Sequence, residues 1–213
     1  MTQLTSQESG LLQEKLYKFP GFFVQKRALR QYTHPNAGLL LGYVAEVSKD
    51  QIERDEDNYY IRGDYGGKSG IELSYEKYLR GEKGVEILLR DAHGRIQGRY
   101  EDGKNDIAPV SGKNLTLSID IELQAYGEYL MQNKVGSIVM IEPSTGEVLC
   151  LVTSPTYDPS MLLGRDFGKN YLELENNPLT PLYNRAIQGM YPPGSTFKTT
   201  QGLIFLEIGR AHV

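Results

Sequence analysis

The stretch Tyr191-Pro-Pro-Gly-Ser-Thr-Phe-Lys198 decides how the rest of the chain is read. A serine hydroxyl is a weak nucleophile until a base removes its proton, and a lysine is such a base only after its ammonium has lost its own. Three residues apart on a helix, Ser195 and Lys198 share one face and come within reach of each other. Pro192 and Pro193 stiffen the entry, Gly194 permits close approach of backbone, and Leu203-Ile-Phe-Leu206 predicts a helix too apolar for the surface. Burial of that kind disfavours an ammonium and equips Lys198 as a base, while the free N–H groups of the first turn, Ser195's among them, suit a developing oxyanion. The pattern reads as an acyl-transfer nucleophile; the alternative is a buried helix carrying an ordinary serine cap.

Ser-x-x-Lys is a common spacing, and the chain holds a second copy, Ser74-Tyr-Glu-Lys77. Glu72, Glu76 and Arg80 surround it, so Ser74 reads as a helix cap and Lys77 as a charged group facing water. That copy is structural.

Working outward from Ser195, residues 154–193 are rich in Pro, Asn and Gly, and a connection of that length predicts a functional segment or a lid. Before it, Gly136-Ser-Ile-Val-Met-Ile-Glu142 and Glu147-Val-Leu-Cys-Leu-Val-Thr153 flank Pro143-Ser-Thr-Gly146 and read as strands covered on both faces. Cys150, with no histidine nearby, is a small core residue. Leu115-Thr-Leu-Ser-Ile119 predicts another strand, and Asp120 caps a helix whose apolar face is Leu123, Tyr126, Leu130 and Met131.

Composition shifts to Asp, Gly, Lys, Asn and Pro over residues 101–113, which puts a domain boundary near Ser111-Gly112. Upstream, residues 10–18 predict a short amphipathic helix stopped by Pro20-Gly21, and Phe22-Phe-Val24 and Leu39–Val47 predict strands. Ser48–Asp57 reads as a solvated loop or frayed helix, and Ile71–Arg80 as a helix ended by Gly81. Two β-rich runs around Asp91-Ala-His-Gly94 predict a hairpin with His93 exposed in its turn. The glycines at 63, 66, 67 and 70 do not match a phosphate loop: Gly67-Lys68-Ser69 occurs, but Arg62 stands where the motif's first glycine would be.

Across all 213 residues, 39% are hydrophobic and 23% charged, which suits a globular core and excludes collagen-like or disordered chains. A net charge of −4 argues against nucleic acid as a partner. One cysteine cannot form an internal disulfide, and His34, His93 and His212 are too scattered to make a zinc site with it. The apolar runs fall short of the roughly 20 residues of a membrane span. The opening Met1–Gly10 lacks the basic start and apolar centre of a signal peptide. The chain as given is expected to be soluble, with any anchor or export signal upstream of Met1.

Tyr191–Lys198, preceded by Pro181-Leu-Tyr-Asn-Arg-Ala186 and Ser154-Pro-Thr-Tyr-Asp-Pro159, resembles the first active-site motif of the penicillin-binding proteins. Leu117–Gln124 and Ile141–Val148 resemble the opening of their transpeptidase domain, and Leu41–Val47 and Gly70–Gly81 the non-catalytic pedestal of the class B, elongation-type members. The resemblance implies an α+β chain: a β-rich, dimerisation-type pedestal at 1–110 and the N-terminal part of a serine β-lactamase-like transpeptidase domain at 111–207; Ile208-Gly-Arg-Ala-His-Val213 breaks the apolar helix and is expected to be a non-native tail at 208–213.

It further implies a peptidoglycan D,D-transpeptidase acting through an acyl-enzyme on Ser195 with Lys198 as base. No metal or organic cofactor is implied. The implied partners are peptidoglycan stem peptides, β-lactam antibiotics and cell-wall elongation proteins in the membrane; the implied place is the bacterial inner membrane, with the catalytic part periplasmic. The family's Ser-x-Asn and Lys-Thr/Ser-Gly motifs follow the nucleophile helix and would lie beyond the last residue given, and its membrane anchor and the Arg-Gly-rich opening of its pedestal are absent. The chain is therefore expected to be truncated at both ends, to stop naturally near Glu207 and to be silent as a catalyst. Rival readings are a serine β-lactamase or β-lactam sensor, and a non-catalytic cell-wall scaffold module.

Overall fold

A computed structural model of the chain describes residues 4–19, 21–22, 24, 30–93 and 95–209. Pro20, Phe23, Gly94, the first three residues and the tail from Arg210, all used in the sequence reading, lie outside the described residues. Helix α1 (Ser6–Gln13) begins earlier than its apolar pattern predicts, because Thr5 and Glu8 form a reciprocal capping box. A 3-10 turn at Leu16–Lys18 follows it, and neither Phe22 nor Val24 lies in a strand.

The predicted strand over Leu39–Val47 is a helical turn, α2 (Gly38–Leu41), followed by a short strand, β1 (Val44–Glu46). The reason is long-range packing: a Cβ at Gly38 would lie 2.3 Å from the carbonyl oxygen of Tyr157, and one at Gly42 would lie 2.0 Å from that of Ser69. Next comes α3 (Lys49–Glu53), where Ser48 and Gln51 build a second capping box in the charged stretch. Strand β2 (Tyr65–Gly67) pairs antiparallel with β1. The predicted helix over Ile71–Arg80 divides at Tyr75 (φ −112°, ψ 20°) into α4 (Gly70–Ser74) and α5 (Glu76–Leu79).

The predicted hairpin is present as β3 (Leu88–Arg90) and β4 (Ile96–Arg99), antiparallel with an irregularity between Leu89 and Arg90, and His93 is exposed in its turn. Bridges Glu82 to Val110 and Val85 to Ile107 bring the following segment back along the hairpin's approach. Leu115–Ile119 belongs to no described strand. Instead the Ser118 hydroxyl donates to the carbonyl of Val148 at 2.8 Å, and the Asp120 N–H to that of Leu149 at 2.9 Å.

Asp120 caps α6 (Ile121–Leu130) as expected, its carboxylate accepting from the N–H groups of Glu122 and Leu123. The buried face of α6 differs from the predicted one: Gln124 and Gly127 face inward, whereas Tyr126 and Leu130 are exposed. Gly127 is small enough to let α6 press on the neighbouring sheet, where a Cβ would stand 2.8 Å from Cγ2 of Val152. Gln124 is only 1% exposed because its amide is fully used there: Oε1 accepts from the Leu151 N–H at 2.8 Å, and Nε2 donates to the Leu151 carbonyl at 3.1 Å.

Strands β5 (Gly136–Ile141) and β6 (Val148–Ser154) form the predicted hairpin, in register from Gly136–Ser154 to Ile141–Val148. Coverage on both faces holds for the inner strand alone. Cys150, Val152, Thr153 and Ser154 are buried, whereas Val139, Met140 and Ile141 on β5 are exposed. The remainder comprises a 3-10 turn at Pro159–Leu162, α7 (Phe167–Glu175), α8 (Arg185–Gln188), a 3-10 turn at Gly194–Thr196 and α9 (Phe197–Glu207).

The segment 154–193, predicted as a functional connection or lid, also supplies a core. Tyr157, Leu162 and Leu174 are buried together, with Leu39 and Tyr43 from the N-terminal part packed on them and Phe167, Tyr171 and Leu182 around them. The Tyr157 hydroxyl donates to the Gly38 carbonyl at 3.2 Å, and burial pushes its pKa up to about 12, so it stays a donor through the neutral range.

Candidate active site

The approach to Ser195 is anchored on β6. The Thr153 hydroxyl donates to Oδ1 of Asn184 at 3.1 Å and accepts from the Ala186 N–H at 3.3 Å, fixing the start of α8 against the sheet. Arg185 beside them is 7% exposed. Its guanidinium donates to the carbonyls of Leu179, Thr180 and Tyr183 and to the Thr180 hydroxyl, at 2.7–3.3 Å. The Tyr183 hydroxyl in turn donates to the Gln188 carbonyl at 2.6 Å, closing the loop over α8.

From Gly189 to Pro193 the chain is largely exposed. Gly194 adopts φ +58° with no atom within 4 Å of where a Cβ would lie. The glycine therefore serves a left-handed turn, not the close approach its sequence suggested. Beyond it the backbone is helical without a break, with Thr196 at φ −65°, ψ −24° and Phe197 at φ −72°, ψ −15°. Ser195, in the 3-10 turn, and Lys198, in the first turn of α9, thus lie three residues apart along one helical face. The Thr196 and Thr199 hydroxyls bond back to the carbonyls of Pro193 and Thr196.

The expected burial of this helix is not seen. Every residue of α9 is exposed, Lys198 included, as is Ser195 in the turn before it, and Leu203, Ile204, Phe205 and Leu206 show 69%, 46%, 46% and 65% of their surface. An apolar helix becomes a buried one only when other elements pack around it, and among the described residues none covers it.

The second Ser-x-x-Lys is disassembled by the break at Tyr75. Ser74 closes α4 instead of capping a helix start, and Lys77 lies in α5 with its side chain 74% exposed and 3.1 Å from Asp57. Lys77 and Arg80 hold the Asp57 carboxyl below its ordinary range. Cys150 is 1% exposed, and burial pushes its thiol pKa up, as befits a core residue.

A cavity of about 470 Å³ lies between α2, α4 and the 154–193 segment, lined by Leu39, Tyr43, Ile71, Tyr157, Tyr171 and Leu182 among others, with neither Ser195 nor Lys198 on its wall. Among the described residues no His, Cys, Asp or Glu cluster is arranged to hold a metal, and no helix is long and apolar enough to cross a membrane. Sequence reasoning missed the buried Gln124 and Arg185. The second had a signal in Pro181-Leu-Tyr-Asn-Arg-Ala186, a lone cation just before the nucleophile motif.

Comparison with known proteins gives two family matches. Residues 1–117 match the penicillin-binding protein dimerisation domain, and residues 136–211 the penicillin-binding protein transpeptidase domain. Among curated proteins the chain is similar to the peptidoglycan D,D-transpeptidase MrdA of Acinetobacter baumannii, 36% identical over 97% of this chain and 30% of that one. It is also similar to MrdA of Escherichia coli K12, 35% identical over 98% of this chain and 33% of that one. The chain therefore spans about a third of the length of these relatives.

Among solved structures it resembles PBP2 in the complex with MreC from Helicobacter pylori, with TM-score 0.76, 31% identity, and 96% of this chain and 38% of that one covered. Pseudomonas aeruginosa PBP2 in complex with WCK 5153 follows, with TM-score 0.66, 34% identity, and 85% and 36% covered. The chain belongs to the penicillin-binding protein family, and comprises its dimerisation domain and the start of its transpeptidase domain.

Proposed function

We propose that this chain is part of a peptidoglycan D,D-transpeptidase in which Ser195 is the nucleophile and Lys198 its base. The observation that carries the reading is the unbroken helical backbone leading out of the Gly194 turn, which gives Ser195 and Lys198 a common face. The names of the two MrdA relatives support the reaction class. The Ser195 Oγ attacks the carbonyl joining two terminal D-alanines of a stem peptide as its proton passes to a neutral Lys198 Nζ. The C–N bond breaks, D-alanine leaves with a proton, and an amine of a second stem attacks the ester, forming the cross-link and restoring the serine. β-Lactams acylate the same oxygen by opening their ring amide. The chemistry uses no metal or organic cofactor.

An ammonium has no lone pair to offer, so the mechanism needs α9 covered and Lys198 desolvated in the working enzyme. We place the domain boundary near Ser111-Gly112, with the residues after Glu207 as a tail. The bridge from Glu82 to Val110 on one side, and the bonds of Ser118 and Asp120 to β6 on the other, support that boundary. By analogy with the solved PBP2–MreC complex, the partners are proteins of the cell-wall machinery, and the family resemblance extends the proposal to elongation proteins at the inner membrane with the catalytic part periplasmic.

Labelling of the complete gene product with a fluorescent penicillin tests the reading. Ser195→Ala should abolish labelling, and Lys198→Ala should slow it by roughly 10²-fold or more, the usual contribution of a general base. Labelling of Ser195→Ala at the rate of the unaltered protein would refute the assignment.

A further inference from the structure

Arg185 is a buried cation whose four hydrogen-bond acceptors are all neutral oxygens: three carbonyls of residues 179–183 and the Thr180 hydroxyl. Taking a guanidinium out of water is costly, and a loop that needed only apolar packing would be held with less penalty by a hydrocarbon side chain. What the planar fork adds is direction. Nη1 reaches Thr180 and Tyr183 at 3.0 and 3.3 Å, while Nη2 reaches Leu179 and the Thr180 hydroxyl at 2.7 Å each, so one rigid group fixes the backbone on both sides of Pro181 and Leu182.

The fixed loop is wired forward to Ser195. Tyr183, whose ring lies 5.5 Å beneath the guanidinium, donates through its hydroxyl to the Gln188 carbonyl, and the Gly189 N–H donates to the Arg185 carbonyl at 3.2 Å. Gly189 has no room for a side chain: a Cβ there would lie 2.5 Å from the Arg185 oxygen and 2.5 Å from the Tyr191 ring. Tyr191 is thus folded onto the same anchor. Only Pro192, Pro193 and Gly194 separate it from Ser195, and both prolines have φ fixed by their rings.

We infer that Arg185 is a positioning residue, setting where the Ser195 hydroxyl stands through the 179–191 loop without touching substrate. The inference rests on Ser195 being the nucleophile. A displacement of about 1 Å in a reacting group costs up to roughly 10²-fold in rate, which is the scale of effect expected.

The test uses the complete gene product and separates the acylation rate constant from the preceding non-covalent affinity for a fluorescent penicillin. Arg185→Lys, which keeps the charge but loses the fork, should acylate about tenfold more slowly with affinity and melting temperature nearly unchanged. Arg185→Ala should lose about 10²-fold, with methylguanidinium restoring rate and methylammonium failing to. Should Arg185→Ala not fold, Arg185→Lys decides. Either folded variant acylating at the unaltered rate, or methylammonium rescuing as well as methylguanidinium, overturns the inference. Absence of an adduct on Ser195 in the unaltered protein overturns instead the nucleophile assignment beneath it.

Discussion

The carboxylate of Glu128 on α6 accepts the backbone N–H of Ala37 at 2.7 Å, joining two residues 91 positions apart. Its other oxygen accepts from the Asn36 side-chain amide at 2.6 Å, while the Gln124 amide, one turn earlier, donates at 2.9 Å to the same oxygen that Ala37 uses. Ala37 sits at φ 62°, a conformation an alanine adopts only when its surroundings impose it. The carboxylate thereby joins the N-terminal part to α6. Glu128→Ala leaves the Ala37 N–H and the Asn36 amide without their partner, and should lower stability by about 1–3 kcal/mol. Urea unfolding of the complete protein measures it; an unchanged midpoint would contradict the role given to Glu128.

Gly127 tests how closely α6 lies on β6. A methyl added at Gly127 meets Cγ2 of Val152 at 2.8 Å, closer than carbon atoms tolerate. Gly127→Ala should destabilise by about 1–3 kcal/mol despite the higher helix propensity of alanine. In the background of Val152→Ala the same change should cost much less, because the crowding methyl is gone. A double-mutant cycle by thermal melting reads the coupling, and additive effects would show that the two do not touch.

Arg165 and Glu8 pair across 157 residues, with Nη1 to Oε1 at 3.1 Å. Hydrogen bonds from Arg165, then from Thr5, hold the Glu8 carboxyl at about 2 against an ordinary 4.5. Because the folded value is the lower one, the stabilisation is complete above the unfolded value of 4.5 and is lost as pH falls through about 2. Carboxyl NMR titration should therefore find Glu8 still ionised at pH 3.5, and Arg165→Ala should move its midpoint back toward 4.5. A midpoint near 4.5 in the unaltered protein would refute the pairing.

Lys198 is exposed on an uncovered helix, without the desolvation that the proposed base requires. The chain of 213 residues on its own should therefore label with fluorescent penicillin at least about 10²-fold more slowly than the complete gene product. Rapid stoichiometric labelling of the isolated chain would contradict this.

What local chemistry dictates was legible in the sequence. The Asp120 cap, the β5–β6 hairpin and the turn holding His93 follow from hydrogen-bonding side chains and strand periodicity within a few residues of each other. Lys198 and Ser195 on one face follow from helical spacing. The rest depends on partners distant in sequence. Leu39–Leu41 is as apolar as a strand, and becomes α2 because Tyr157 and Ser69 crowd the glycines on either side. The buried face of α6 is Gln124 and Gly127 because Leu151 supplies hydrogen-bond partners and Val152 demands a small neighbour. No periodicity in α6 encodes those needs, and the exposed state of α9 likewise depends on what packs around it.

The central claim is that an acyl group grows on the Ser195 oxygen. Trypsin cuts after Arg185 and Lys198, releasing residues 186–198, in which Ser195 is the sole serine. Mass spectrometry of the complete gene product after exposure to penicillin should find this peptide heavier by one intact penicillin, with fragment ions assigning the increment to Ser195. An unmodified 186–198 peptide from a protein that has bound the drug covalently elsewhere would contradict the account.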